Sequence, residues 1–405
     1  MTGDLIGHAR QTAAADVAGA CAPAPTAARS PRVFHVLSCM DRGGIETWLM
    51  HVQRAITPQQ WRVAYVTSVH KPAYFDEEIR SLGGEIIPGP KPTRRHAVAY
   101  VRQLRRLLAR EKPDVVHSHI GLFSGLVLWV AARAGIETRI AHSHNAGLER
   151  QARARPAGGL YIKLARRLIR RYATHVFASS TLAAEALLGE RWAAEPRLRI
   201  LPYGVDFAAV CSAPAVSKSE LALSDSVFVV GHVGNFKAEK NHGFMLCILR
   251  ALVSQDVDAH FVFVGGGASS ASISQEAREL GLEARTHFLG QRSDVAGLMA
   301  GAFDAFCFPS TAEGLGIALL EAQAAGLFSV CSTAVPAEAT VIPELVCRLG
   351  LQEDPSRWAS ALLEGPSHRM RRLETEPRMT QSEFAIDRCL ATLRSAYGAH
   401  SPGAA

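Results

Sequence analysis

At 405 residues and 43.6 kDa the chain is too long for one ordinary compact domain and fits two of roughly 150–200 residues each. With 48% hydrophobic and 20% charged residues and a mean hydropathy of +0.07, it has ample material for buried cores, which excludes a mostly disordered chain. The net charge of +7 is unevenly spread: residues 150–171 carry Arg150, Arg153, Arg155, Lys163, Arg166, Arg167, Arg170 and Arg171 without an acid, and residues 91–110 form a second acid-free basic run. The basic surface therefore belongs to the N-terminal half, and the remainder of the chain is net acidic.

The first thirty-one residues hold several Ala and Pro, no block of large aliphatic residues and an acid at Asp4, so they read as a flexible leader rather than a secretory signal. The longest uncharged apolar stretch, residues 120–132, falls well short of the ~20 residues that cross a bilayer. The expected location is the cytoplasm. The eight cysteines are scattered, with no CxxC pair and no His at finger spacing, and read as free thiols.

Short apolar runs alternate with helical periodicity nearly from end to end. Strands are expected at 33–37, 62–67, 85–87, 115–119, 139–142, 176–178 and 199–201, and the first of them are continuously apolar, as in a parallel sheet covered on both faces. Periodicity lapses over 207–224. It restarts with strands at 227–232, 261–264, 286–289, 305–308 and 328–331, and an amphipathic helix runs through Ile386, Leu390, Leu393 and Tyr397. The fold class is α/β: an N-terminal Rossmann-like domain over 32–206, a linker over 207–224, a second Rossmann-like domain over 225–385, and a C-terminal helix and tail over 386–405. Two open parallel sheets in tandem place a cleft between the carboxyl ends of their strands.

The unusual residues sit in the loops that end those strands. Gly43-Gly44 follows the first strand and precedes a helix; paired glycines let backbone N–H groups approach an anion, so they are phosphate-contact candidates, although neither GxGxxG nor a Walker loop is present. The strands at 115–119 and 139–142 run into His117-Ser118-His119 and His142-Ser143-His144. Those four imidazoles suit a metal, a satisfied structural cluster or substrate contact, and no Asp or Glu stands beside them to complete a metal site. After the strand at 227–232, Asn235, Lys237 and Lys240 occupy a strand-to-helix turn, where lysines suit a diphosphate. Finally Glu313, Gly314, Leu315 and Gly316 open a helix that carries Glu321 two turns in. Carboxylates grip hydroxyls while N–H groups and the helix dipole hold phosphate, a combination that suits a nucleotide sugar.

Glu313-x7-Glu321, with the preceding strand and Ala324-Ala325-Gly326 after it, closely resembles the signature of GT-B fold retaining glycosyltransferases of family 4. Gly43-Gly44, Asp114 to His119, Gly204-Val205-Asp206, Lys240, residues 261–266 and Phe288-Leu289-Gly290 match in order, so the resemblance covers about residues 32–350, nearest to the exopolysaccharide and capsule type. It implies that Glu313 contacts the donor sugar, that Glu321 binds the ribose hydroxyls, that His119 lies by the transferred sugar and acceptor, and that Lys240 grips the diphosphate. Leu289, Gly314, Leu315 and Gly316 fall in the nucleotide-binding segments. Asn235 stands where the family usually presents Arg, with Lys237 or the Gly43-Gly44 amides as the candidates to compensate.

The expected activity is transfer of a sugar, with retention, from a nucleoside diphosphate donor, a UDP-sugar, to a hydroxyl of a glycan or lipid-linked glycan acceptor. No carboxylate is placed as a covalent nucleophile, and no metal or other cofactor is expected, since Lys240 and helix N-termini can take a cation's role. The alternative is a nucleotide-sugar-binding protein with little turnover, motivated by Asn235. The basic half lacks aromatic interleaving and any RNA-binding motif, so nucleic acid is not an expected partner. In a helix over 160–172, Leu160, Leu164, Leu168 and Tyr172 recur opposite the basic residues, and with the run at 91–110 on an adjacent helix they suggest docking on the cytosolic face of an anionic membrane.

Overall fold

The computed structural model describes residues 30–91, 97–144 and 157–398. Most of the leader, Cys21, Arg94, Arg95, Arg150, Arg153, Arg155 and the tail from residue 399 lie outside them.

The first sheet has seven strands, β1 (Arg32–Leu37), β2 (Arg62–Thr67), β3 (Glu85–Pro88), β4 (Val115–Ser118), β5 (Thr138–Ser143), β6 (His175–Ala178) and β7 (Leu198–Ile200), in the order β3-β2-β1-β4-β5-β6-β7. Every pairing is parallel. The second sheet repeats the plan with β8 (Phe228–Val233), β9 (Ala259–Val264), β10 (Thr286–Phe288), β11 (Ala305–Phe308), β12 (Ser329–Ser332) and β13 (Val346–Leu349), again all parallel, ordered β10-β9-β8-β11-β12-β13. The chain thus reverses direction across the sheet beside β1 and beside β8. Such a switch point opens a crevice at the carboxyl ends of the strands. Strand β13 escapes the sequence pattern because it is a four-residue edge strand, buried only at Leu349 and carrying Arg348.

Residues 207–224 are not a loose linker. Asp206 caps the helix Phe207–Ser212 by accepting from Ala209 N–H; Cys211 donates to the Ala324 carbonyl at 3.3 Å, and Val216 N–H donates to Gly297 O at 3.0 Å. The segment is docked on the second domain by short apolar residues too irregular in spacing to show a period. One buried apolar cluster runs from Trp48 and Phe177 through Val205 and Phe207 to Phe306 and Leu390. The helix Ile386–Tyr397 crosses back to the first domain, where Trp48 Nε1 donates to Cys389 Sγ at 3.3 Å and Tyr397 reaches His117.

The basic face differs from the amphipathic expectation. The helix Gly158–Tyr172 packs inward through Ile162, Ala165 and Ile169, whereas Leu160 and Leu164 are 72% and 54% exposed. Arg166 and Arg170 donate to the carbonyls of Leu187 and Leu188 at the end of the helix Thr181–Leu188, where cations satisfy orphan C=O groups. The basic helix Ala97–Glu111 is not its direct neighbour, because the helix Ser124–Arg133 packs against both.

Candidate active site

The second domain supplies a charged wall. Beyond β11 the chain runs through residues 309–316 into the helix Ile317–Ala324, entered through Gly316 at φ +94°, a left-handed conformation that glycine adopts without the usual steric cost. The turn after β8 brings Lys240 across the same opening. Its Nζ donates to Glu313 Oε1 at 2.5 Å and lies 4.6 Å from the centre of the Phe308 ring. Thr311 N–H donates to the Glu239 carbonyl at 2.7 Å, tying the two loops together. On the helix, Glu321 has no hydrogen-bond or ion-pair partner among the described residues. Burial pushes its carboxyl up to about 7, with Arg42 and Arg54 of the first domain pulling the other way.

The first domain meets this wall through two loops. Asn235 Nδ2 donates to the Arg42 carbonyl at 2.5 Å, so this side chain is spent on joining the domains. At Gly314 the backbone passes so close to the His144 carbonyl that a Cβ would clash, which makes glycine necessary there. The Arg42 guanidinium stands 4.4 Å over the Tyr74 ring. Glu46, at the start of the helix Gly44–Arg54, folds back over Gly43. Burial raises its carboxyl to about 7, opposed by a bond from its own N–H and by the charge of Lys237. The position where an anion would meet the Gly43-Gly44 amides is therefore fronted by the chain's own carboxyl.

The floor of the first domain is a set of buried rings. His35 lies beside His117 in the β1–β4 register. One hydrogen-bonded chain runs from Tyr203 Oη to His144 Nδ1 (2.9 Å), from His144 Nε2 to His119 Nδ1 (2.9 Å) and from His119 Nε2 to His35 Nδ1 (2.9 Å). A second joins Tyr397 Oη to His117 Nδ1 (2.7 Å) and His117 Nε2 to His142 Nδ1 (3.1 Å). Trp48 packs edge-on against His142, ring centres 5.0 Å apart. Burial drives all five imidazoles below their ordinary range, to about 3 for His35 and His144, so the floor is neutral.

Two family models divide the chain between them: a glycosyl transferase 4-like domain over residues 43–204 and glycosyl transferases group 1 over residues 216–364. The putative glycosyltransferase EpsF of Bacillus subtilis is 32% identical over 335 residues, 82% of this chain and 86% of that protein. The chain is a group 1 glycosyltransferase. The UDP-Gal:alpha-D-GlcNAc-diphosphoundecaprenol alpha-1,3-galactosyltransferase of Escherichia coli is 28% identical over 56% of this chain and 60% of that one. Among solved structures, Anabaena HepE in complex with UDP-glucose superposes with a TM-score of 0.71 at 18% identity, over 90% of this chain and all of that one. WaaG, a glycosyltransferase involved in lipopolysaccharide biosynthesis, superposes with a TM-score of 0.63 at 16% identity, over 89% and 99%. The shared architecture is GT-B.

In this glycosyltransferase Glu313 and Lys240 are in direct contact, Gly314, Leu315, Gly316 and Glu321 continue the same loop and helix, and His119 is joined through His144 to the loop at Gly314. Leu289 stands farther out, at the end of the edge strand β10, its N–H on the Phe263 carbonyl at 3.0 Å. Both ring nitrogens of His119 and of His117 are engaged within the floor, so in this arrangement neither offers one to a sugar. Three residues escaped the sequence reading. His35 is hidden in an apolar strand, and only register with His117 could have found it; Arg42 and Glu46 flank Gly43-Gly44, where two charges beside a glycine pair were the available signal.

Proposed function

We propose that this enzyme transfers a sugar, with retention of anomeric configuration, from a nucleoside diphosphate donor, a UDP-sugar, to a hydroxyl of a glycan or lipid-linked glycan in polysaccharide assembly. The observation that carries the reading is Glu321, a carboxyl without a partner among the described residues, on the helix that follows the Lys240–Glu313 pair. In this reading Glu321 accepts from the ribose hydroxyls, Glu313 from the donor sugar, and Lys240 turns from Glu313 to the diphosphate as negative charge grows on the leaving group. The sugar leaves and the acceptor arrives on the same face, no covalent nucleophile is used, and Lys240 with the helix start at Gly316 serves in place of a metal. The name of Staphylococcus aureus CapH, a capsular polysaccharide biosynthesis glycosyltransferase 24% identical over 72% of this chain, favours polysaccharide assembly, and that of the E. coli transferase favours a lipid diphosphate acceptor. A screen of UDP-, GDP- and ADP-sugars by shift in melting temperature, followed by turnover, tests the donor assignment. The largest shift is expected with a UDP-sugar; no shift with any donor contradicts it, and a shift without turnover on any acceptor favours the binding-only alternative.

A membrane contact belongs to the same reading. Leu160 and Leu164 stand exposed among Lys163, Arg167 and Arg171, and Val98, 85% exposed, stands above Arg102, Arg105 and Arg106. Exposed leucines ringed by cations suit the cytosolic surface of an anionic bilayer, each cation contributing about 1 kcal/mol. Sedimentation with vesicles should require anionic lipid and weaken with salt, and Leu160→Ser with Leu164→Ser should release the protein. Equal recovery with neutral and anionic vesicles contradicts the contact.

A further inference from the structure

We propose that His119, His142 and His144 form a binding site for one divalent transition-metal ion of the zinc class. Their ligand nitrogens all lie within 4.8 Å of one another. His142 is fully buried and its Nε2 has no partner among the described residues, an orphaned imidazole nitrogen that a coordinating ion would satisfy. The opposite nitrogen of each ring is already held: His142 Nδ1 by His117 Nε2 at 3.1 Å, His144 Nδ1 by Tyr203 Oη at 2.9 Å, and His119 Nε2 by His35 Nδ1 at 2.9 Å. With His142 Nδ1–H given to His117, His144 Nδ1–H to Tyr203 and His119 Nε2–H to His35, these bonds are compatible with His142 Nε2, His144 Nε2 and His119 Nδ1 as lone-pair donors once an ion replaces the His119–His144 hydrogen bond, the way ligating imidazoles are oriented in metal proteins.

The ion need not have a carboxylate ligand, since three imidazoles and an exchangeable ligand make a recognised zinc geometry. Two nitrogens on one tetrahedral ion lie about 3.3 Å apart. His119 Nδ1 and His144 Nε2 stand 2.9 Å apart, so a small opening of that one hydrogen bond admits it.

The site is read by binding, so its failure leaves the donor reading untouched, and the reverse also holds. Full-length protein stripped with a chelator is titrated with Zn²⁺ by calorimetry and with Co²⁺ by visible absorption. One ion per chain is expected, with an intense tetrahedral cobalt spectrum, and His142→Ala should weaken binding at least tenfold. Tyr203→Phe, which keeps the ring packing and removes only the hydroxyl that holds His144, should weaken it several-fold and serves if His142→Ala does not fold. The half-buried pair His260 and His287, with ring nitrogens 2.8 Å apart, and the neighbouring trio His35, His117 and His119 are the competing ligand sets. Loss of uptake in His260→Ala, no uptake by the wild type, or unchanged affinity in the variants of His142 and Tyr203 overturns the proposal.

Discussion

The two sides of the cleft are built from opposite materials. The wall from the second domain presents ionisable groups: the Lys240–Glu313 pair, and on the following helix the buried Glu321, which has no partner among the described residues. The floor presents five buried imidazoles and Tyr203 of the first domain, with Tyr397 of the C-terminal helix, hydrogen-bonded to one another and neutral. A charged diphosphate needs charges that can exchange partners when it arrives. A ring-lined floor needs no exchange; it fixes shape, and its ring nitrogens other than His142 Nε2 are satisfied internally, because an unpaired buried group costs about 1–3 kcal/mol. Binding strength is thus expected to reside in the wall and geometry in the floor.

The largest effect that would break this division is at Lys240. Removing a group that stabilises leaving-group charge typically costs 10²–10³-fold in turnover, so Lys240→Ala should lose about that much kcat with its fold intact, and Glu313→Ala should likewise act chiefly on kcat. On the floor, Tyr397→Phe removes one hydroxyl from His117 and should lower the melting temperature by several degrees while leaving KM for the donor within about twofold. A large KM change in Tyr397→Phe would place donor recognition on the floor.

The next effect concerns pH. With its carboxyl raised to about 7, Glu321 is partly protonated near neutrality, and only the carboxylate accepts from two ribose hydroxyls. Raising the pH from 6 to 8 should therefore tighten UDP binding up to about tenfold, and Glu321→Gln should flatten that dependence. Glu46 acts with the opposite sign, since its carboxylate, also raised to about 7, fronts the helix start that would meet the diphosphate; Glu46→Gln should steepen the pH dependence. For stability the direction reverses. Both groups are raised when folded, so the folded state binds more protons than the unfolded chain, and the ligand-free protein should lose stability as the pH rises from about 4.5 to above 7, as melting curves against pH would reveal.

The smallest effect is at Asn235. From the sequence, Arg at this position is expected to tighten the diphosphate grip. The bond from Asn235 Nδ2 to the Arg42 carbonyl reverses that expectation, because an Arg here would break a contact between the domains. Asn235→Arg should weaken UDP binding a few-fold by calorimetry; a tighter complex would show that the loop is free to turn toward the phosphates.

How far the sequence could be read follows the same division. Both doubly wound domains are legible because parallel strands buried on two faces are continuously apolar, and the wall is legible because Glu313, Gly314, Gly316, Glu321 and Lys240 lie at short fixed spacings within two strand-to-helix turns. The floor is legible only in part. His117, His119, His142 and His144 stand out in pairs, but their closure by His35, Tyr203 and Tyr397 depends on contacts spanning up to 280 positions, which no local pattern encodes. The helix Gly158–Tyr172 is legible only in part for a related reason: spacing of four marks Leu160 and Leu164 as a stripe without revealing that a second stripe, Ile162, Ala165 and Ile169, meets the sheet and leaves those leucines outward.

The division rests above all on Glu321 gripping the donor's nucleotide. Calorimetric titration of UDP into the wild type and Glu321→Ala at pH 8 tests it most directly. Binding to the wild type at about micromolar affinity, weakened tenfold or more in the variant, is the result the account predicts, since a lost pair of hydrogen bonds to a carboxylate is felt at roughly 1–3 kcal/mol. Equal affinity in the two proteins would contradict it.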